Sequence, residues 1–217
     1  QGATNIIRFN WHFYVLSAVG LFLLIVTSSF FSGTIRFGLL VFSALAFASI
    51  LISLIVSYYV YDLSTLYSLD WLGDLRFETG SKIVNLNAGF DETSELLASK
   101  YPEADLVVLD FYDPAKHTEV SIKRARRTYP PFLNTEQVTT SKLSLQGNSA
   151  DAIFAILSAH EIRSGDERNL FFNEICRALK TNGQIFVVEH LRDLPNFLAY
   201  NIGSLHFHSR KSWLDTF

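Results

Sequence analysis

Two stretches without a single Asp, Glu, Lys or Arg constrain this chain more than anything else in it. One lies between Arg8 and Arg36, the other between Arg36 and Asp62. A helix needs ~20 consecutive apolar residues to cross the ~30 Å hydrocarbon core of a bilayer. Both "WHFYVLSAVGLFLLIVTSSFF" (Trp11–Phe31) and "FGLLVFSALAFASILISLIVSYYVY" (Phe37–Tyr61) are long enough, and "SGTIR" supplies a tight turn between them. Trp11, Tyr14, Tyr58, Tyr59 and Tyr61 fall near the ends of the runs, where aromatic rings favour the membrane interface. The first run is too long for a signal peptide, and a second span follows it. The soluble alternative, a buried helical pair, would have to hide two such runs in a chain of 217 residues. The expectation is a transmembrane helical hairpin over residues 1–61. An even number of spans puts both flanks on one side. Arg8 and the basic residues downstream favour the cytosol, while Arg36 in the opposite loop counts against it. The single cysteine, Cys176, excludes an intramolecular disulfide and fits a reducing compartment.

Residues 62–80, "DLSTLYSLDWLGDLRFETG", place Leu63, Leu66, Tyr67, Trp71 and Leu75 in an approximate helical stripe, so an amphipathic linker helix is expected there. From Ser81 the texture changes. "KIVNLN", "ADLVVLDFYD", "SADAIFAIL" and "QIFVVEH" are short apolar runs of strand character, with "QVTTSKL" a weaker one. Helical stretches separate them: "DETSELLASKY", "EVSIKRARRTY" and "GDERNLFFNEICRALKTNG", the last expected to end at its Asn-Gly stop. Such alternation gives an α/β domain over 81–217, a mostly parallel sheet with helices on both faces. Ligands of such sheets bind beyond the carboxyl ends of the strands.

Those ends carry the polar residues. After the first strand comes Asn85-Leu86-Asn87-Ala88-Gly89-Phe90-Asp91, and Asp110 ends the second, 21 residues beyond Gly89. A glycine turn followed at this spacing by an acid suits a nucleoside: the turn admits the ligand to the backbone, and the carboxylate accepts from the ribose hydroxyls. Charge separates the candidates. A dinucleotide would set its pyrophosphate on the next helix N-terminus, where Asp91 and Glu92 repel it. A sulfonium ligand without phosphate suits them, as does the excess of acids over bases between Asp62 and Asp113. An NAD-dependent oxidoreductase would require Asp91 and Glu92 to point away from the ligand.

"VNLNAGF", "VVLDFYD", "GNSADAIFAILSAHEI" and "NEICRALKTNGQIFVVEH" together resemble the motifs of class I S-adenosylmethionine-dependent methyltransferases, of the ubiquinone/menaquinone methyltransferase-like branch. The last of these is the most specific. "VYDLSTLY" is similar to a segment that often precedes that domain and helps close its cofactor pocket. The resemblance implies a Rossmann-like methyltransferase domain, S-adenosyl-L-methionine as cofactor, and cofactor contacts at Asn85, Asn87, Ala88, Gly89, Asp110, Phe111, Thr140 and Ser158. Three positions depart from the family. Asn85 stands where an acid usually faces the methionine amino group, and Asn87 and Asp91 replace two glycines. The acid that often binds the adenine amino group is also missing, with Thr139 to Ser141 in its region. The family's sheet usually closes with an antiparallel hairpin, and the expectation is that these C-terminal strands are missing here.

His160, Glu161 and His190 follow the fourth and fifth strands and are the candidate catalytic groups; histidine is the usual base near neutral pH. His206 and His208 could join His160 and His190 around a metal, but no fixed ligand spacing links them, and no metal site is expected. Lys123, Arg124, Arg126 and Arg127 form a basic cluster suited to anionic lipid headgroups. The net charge of −3 gives no global field for nucleic acid, which is not expected as a partner. A domain tethered to a bilayer meets lipophilic acceptors, so the expected activity is methylation of a quinone precursor, lipid or phenol. The altered first motif leaves open an inactive methyltransferase-like membrane scaffold or small-molecule sensor.

Overall fold

The computed structural model describes residues 2–217. A short helix α1 (Gly2–Phe9) precedes two long ones, α2 (Trp11–Ser28) and α3 (Gly33–Tyr58), which pack against each other across a four-residue connection. α3 runs on through a widened turn, Tyr59–Leu63, to give an apolar span of 31 residues, ~46 Å of helix. Both helices are long and apolar enough to cross a membrane, and only 6% of each apolar window is buried inside the chain. A core helix of a soluble domain would be mostly buried. The hydroxyls of Ser28 and Ser43 donate to carbonyls of their own helices, Ile25 O and Leu39 O, which spares them the cost of an unpaired polar group in apolar surroundings.

The linker does not form the expected helix over 62–80. It turns through Leu69, whose φ of +57° is left-handed, into one tight turn at Asp70–Leu72, and is otherwise irregular. Its apolar residues go inward instead. Leu69 and Leu72 are buried and Leu66, Leu75 and Phe77 pack beside them against the sheet. Tertiary burial overrides a helical stripe interrupted by serines and Gly73.

Five parallel strands follow: β1 (Lys82–Asn87), β2 (Asp105–Asp110), β3 (Glu136–Gln137), β4 (Ala150–Ile156) and β5 (Leu179–Val188), in the order β3-β2-β1-β4-β5. Helices α4 (Ser94–Lys100), α5 (Val120–Thr128), α6 (Gly165–Ala178), α7 (Leu194–Tyr200) and α8 (Arg210–Leu214) complete the chain. The weak third strand is only two residues long, because the chain leaves the sheet for a turn bridged between Thr139 and Lys142.

α6 shows why these residues make these elements. Ser164 caps it by accepting from Glu167 N, Asp166 and Glu167 sit in its positive first turn, and Phe171, Ile175 and Ala178 form its buried stripe. It ends at Ala178, four residues before the expected Asn182-Gly183 stop, and Leu179 already belongs to β5. Gly183 instead marks a register shift against β4, where a Cβ would lie 2.9 Å from Ala150 O.

Alternation along β1 sends Val84 and Leu86 to one face of the sheet, with Phe171, Ile175 and Trp213, and Ile83 to the other, with Leu97 and Phe154. Asn85 and Asn87 share the second face. The register pairs Asn87 with Asp110, so the ends of β1 and β2 are level and adjacent.

Candidate functional site

The loop after β1 is held by its own side chains. Asn85 is fully buried, and its amide donates to Thr93 Oγ1 (2.9 Å), Ser94 Oγ (2.8 Å) and Asp91 Oδ1 (3.3 Å). Asp91 Oδ1 also accepts from the backbone N–H groups of Thr93 (3.1 Å) and Ser94 (2.9 Å), capping α4. Its Oδ2 is buried with no hydrogen-bond partner among the described residues, as is Nδ2 of Asn87. Asn87 Oδ1 accepts from Gly89 N (3.1 Å), and Gly89 turns with φ +98°, a conformation natural to glycine. Asn87, Ala88, Phe90 and Thr93 line a cavity of about 120 Å³ that Tyr67, Glu92, Leu157 and Glu161 close from the other side. The Tyr67 hydroxyl donates to Glu92 Oε2 (2.6 Å), which brings the segment after α3 over the cavity. Burial raises Glu92 above the usual carboxylate range, with hydrogen bonds from Tyr67 and Asn5 pulling the other way.

Asp110, almost wholly buried, is already engaged. Its Oδ1 accepts from Tyr112 N (2.9 Å), and its Oδ2 from Arg126 Nη1 and Gln137 Nε2, both at 2.6 Å. Arg126 reaches down from α5, also donates to Gly89 O (3.1 Å), and stacks on the Tyr112 ring at 4.3 Å. A Cβ on Gly89 would meet Tyr112 at 2.7 Å and Arg126 at 3.0 Å, so these two side chains fill the space over the turn. The basic cluster is therefore divided. Arg126 serves Asp110, Arg124 donates to Phe9 O (2.6 Å) and contacts His12, and Lys123 and Arg127 are exposed.

The ends of β4 and β5 hold the charged groups. Glu189 binds the loop after β4: its Oε1 accepts from the backbone of Ser158, Ala159 and His160, and its Oε2 meets His160 Nδ1 at 2.6 Å. Burial alone would depress His160. The negative charge of Glu189, with hydrogen bonds to Glu161 and Glu189, outweighs it and pushes the imidazole up to about 10. Burial would raise Glu161, but hydrogen bonds with His160 and His206 hold it well below the usual range. His190 is the opposite case: burial, then the charge of His160, push it down to about 4, so it is neutral at pH 7. Its Nε2 lies 2.8 Å from the Tyr61 hydroxyl at the end of the second apolar span. His190 and Glu189 line a groove of about 390 Å³ with Val60, Ser64, Leu66, Trp71 and Leu157. Leu157, left-handed at φ +53°, lines both the groove and the smaller cavity.

Several expected site residues have other duties. Phe111 is a core residue packed on Phe171. The Thr140 hydroxyl donates to Glu167 Oε1 (2.5 Å) and that of Ser158 to Leu86 O (2.8 Å), so both brace the scaffold. His160 holds its proton at neutral pH and is no base there, whereas His190 is unprotonated. Arg126, Tyr112, Gln137 and Leu157 were not visible as site residues in the sequence; an arginine 16 positions after the acid, on a helix of surface character, is not a recognisable spacing. Of the four histidines weighed as ligands, His160 and His206 come together with Glu161, while His208 turns to Arg168 and Ile162 O.

A parallel sheet in the order β3-β2-β1-β4-β5, with a glycine turn after β1 and a buried acid ending β2, makes a Rossmann-like domain. Residues 84–187 match the family model described as "Methyltransferase domain", so the chain carries a methyltransferase domain over that stretch. No curated protein matches the sequence. Among solved structures it is similar to phosphoethanolamine N-methyltransferase 2 of Haemonchus contortus (16% identity, 70% of this chain and 34% of that one, TM-score 0.44). It is also similar to the YcgJ protein of Bacillus subtilis (18%, 70% and 65%, 0.46). A third is geranyl diphosphate C-methyltransferase of Streptomyces coelicolor A3(2) (12%, 75% and 61%, 0.49). The chain spans about a third of the length of the first of these.

Proposed function

We propose that this chain is a membrane-anchored methyltransferase that transfers the methyl group of S-adenosylmethionine to a lipophilic or membrane-associated small molecule: a quinone precursor, a lipid or an apolar phenol. The observation that carries the reading is the groove between the end of the second apolar span (Val60, Ser64, Leu66) and the ends of β4 and β5 (Glu189, His190), which shares Leu157 with the cavity at the β1 loop. An acceptor dissolved in the bilayer would reach the reacting end without crossing water. A second feature supports it. α7 and the turn after it expose Leu194, Phe197, Leu198, Ile202 and Leu205 beside α3, where Ser49 Oγ donates to Asn201 Oδ1 (2.6 Å). Such an apolar face fits the membrane interface. The reading has the soluble domain on the cytosolic side, as Arg8 favours, with the exposed Lys123 and Arg127 open to anionic headgroups. The quinone precursor follows from the resemblance to the ubiquinone/menaquinone branch.

The cofactor fits the residues present once Arg126 and the Tyr112 ring stacked on it withdraw. Gly89 would then leave the backbone approachable, Asp110 would accept from the ribose hydroxyls, and Asn87 Nδ2 stands unpartnered beside the cavity. The unpartnered Asp91 Oδ2 would meet the methionine ammonium, so the charge missing at Asn85 is supplied six residues later. Bound there, the cofactor supplies an electrophilic methyl group. The chain's own work is positioning: Tyr67 and Phe90 wall the cavity, Glu189 fixes the β4 loop, and His190 accepts a proton where the acceptor must lose one. The test is calorimetry of S-adenosylhomocysteine with intact protein, then transfer of labelled methyl into membrane lipid extracts. Absence of binding at millimolar ligand would sink the reading.

The second reading, an inactive membrane scaffold or sensor, is favoured by one observation, the occupation of Asp110 by Arg126 and Gln137. Tight cofactor binding with no labelled product from any extract would favour it.

A further inference from the structure

We propose that His160, Glu161 and His206 form a binding site for a first-row divalent cation, Zn²⁺ being the natural probe. The three ligand atoms lie within 4.8 Å of one another. A tetrahedral ion at ~2.1 Å from each ligand requires them to be ~3.4 Å apart. Two of the three separations already match: Glu161 Oε1 is 3.2 Å from His206 Nε2 and 3.5 Å from His160 Nε2. Only the two rings must draw together, and their centroids are 5.4 Å apart.

The stronger argument lies behind the ligands. A metal-bound histidine usually has its second nitrogen held by a carboxylate, which fixes the tautomer and aims the ring. Both histidines are backed in this way, by acids from different elements. Glu189 Oε2 lies 2.6 Å from His160 Nδ1, and Glu119 Oε1 lies 3.5 Å from His206 Nδ1. In each case Nε2 is turned toward Glu161. Glu161 and Glu119 each keep one buried carboxylate oxygen without a hydrogen-bond partner among the described residues, and Glu161 is 92% buried. Arg163 is the cation that balances these acids in the ion-free arrangement. Its guanidinium touches the His206 ring and sits 3.5 Å from Glu119 and 4.0 Å from Glu161, yet its side chain is 44% exposed and free to swing out.

Two histidines and one carboxylate are ligands for zinc, iron, cobalt or manganese rather than calcium or magnesium. Glu161 also lines the cavity at the β1 loop, so an ion here would adjoin the reacting end. The group it would take is an anionic oxygen, such as a phenolate, carboxylate or phosphate. That last step rests on the methyltransferase reading; ion binding does not.

The experiment uses untagged full chain in detergent, stripped with a chelator, desalted and titrated with Zn²⁺ by calorimetry, with Co²⁺ as an optical probe. One equivalent is expected, with a cobalt ligand-field band of low-coordinate type. Glu161→Gln and His206→Gln should each weaken binding at least 10-fold. Glu119→Gln and Glu189→Gln should weaken it by roughly 10-fold while leaving one equivalent. Arg163→Ala, which removes the competing charge, should tighten it. The proposal is overturned if wild-type protein takes up less than one equivalent at 100 µM free zinc (about 100 µM being generous for any such triad), or if folded Glu161→Gln and His206→Gln proteins bind like wild type. S-adenosylhomocysteine binding, measured on the same samples, separates failure of the metal site from failure of the methyltransferase reading.

Discussion

The ends of β1 and β2 and the ends of β4 and β5 lie at the same edge of one sheet but are prepared differently. At the first pair the polar atoms are spent on the protein itself: Asn85 on α4, Asp91 on the same helix start, Asp110 on Arg126 and Gln137. At the second pair Glu189 pre-orders the loop, and a groove of about 390 Å³ remains beside a neutral His190. On the proposed reading, the half that would take the cofactor is closed and the half that would take the acceptor is open. Two low-populated events, release of Asp110 and entry of ligand, must then be paid together, which weakens apparent affinity by the fraction of molecules already released.

The largest way to break this contrast is Asp110→Ala. It removes the proposed acceptor for ribose and leaves Arg126 without its buried partner, a kind of loss that costs ~3–5 kcal/mol. S-adenosylhomocysteine binding should fall by more than 100-fold, and the melting temperature should fall with it. Asp110→Asn, which keeps the shape and an acceptor oxygen, separates the two effects: the fold recovers in part and binding does not. Retained binding in either variant would mean the ligand sits elsewhere.

Next in size is a pair of substitutions at the β1 loop. Asn85→Asp restores the acid of the related enzymes but places it against Asp91, at a contact now 3.3 Å long. Two carboxylates there should cost ~1–3 kcal/mol, and cofactor affinity should not improve. Asp91→Asn should weaken binding about 10-fold by removing the charge for the ammonium. In the double variant the losses should be less than additive, since the acid has only changed places. Strict additivity would show that the two departures are unrelated.

Arg126→Ala acts in the other direction. Removing the guanidinium frees Asp110 Oδ2 of its charged partner and leaves Tyr112, without its cation–π contact, as the side chain over Gly89. Cofactor binding to the folded protein should tighten by about 3- to 10-fold, or ~1 kcal/mol, while stability falls by up to ~3–5 kcal/mol because Asp110 is left buried without its charged partner. Weaker binding would instead make Arg126 part of the ligand's own site.

The contrast also marks what could be read from the sequence. The strands β1, β2, β4 and β5 followed from apolar runs, and the glycine turn at Gly89 and the buried acid at Asp110 from their place at strand ends, so the sheet and its polar edge were legible. The linker misled because its leucines repeat like a helix, yet Leu69 turns left-handed to reach the core. Partners set by tertiary approach were not legible. Arg126 reads as one more charge on a basic helix. His206 meets Glu119 only because the segment after α7 folds back over the β4 loop, across 87 residues of sequence. The periodicities of single elements carry no signal for such meetings.

The smallest effect expected is a pH slope. His160 is raised from 6.5 to about 10 in the folded chain, so its contribution to stability is complete below about pH 6.5 and is lost as the pH climbs through 10. His190 and His208, both lowered to about 4 by burial first, act on the acid side, where stability declines as the pH falls from 6.5 toward 4. The melting temperature of metal-free protein should therefore peak near pH 6.5. His160→Gln should lower that peak and flatten the alkaline limb, because the glutamine keeps a donor for Glu189 but has no proton to lose. His190→Gln should leave the alkaline limb alone and flatten the acid one. An alkaline slope that survives His160→Gln would place the titration on another group, and the pre-ordered acceptor half would then not depend on the His160–Glu189 pair.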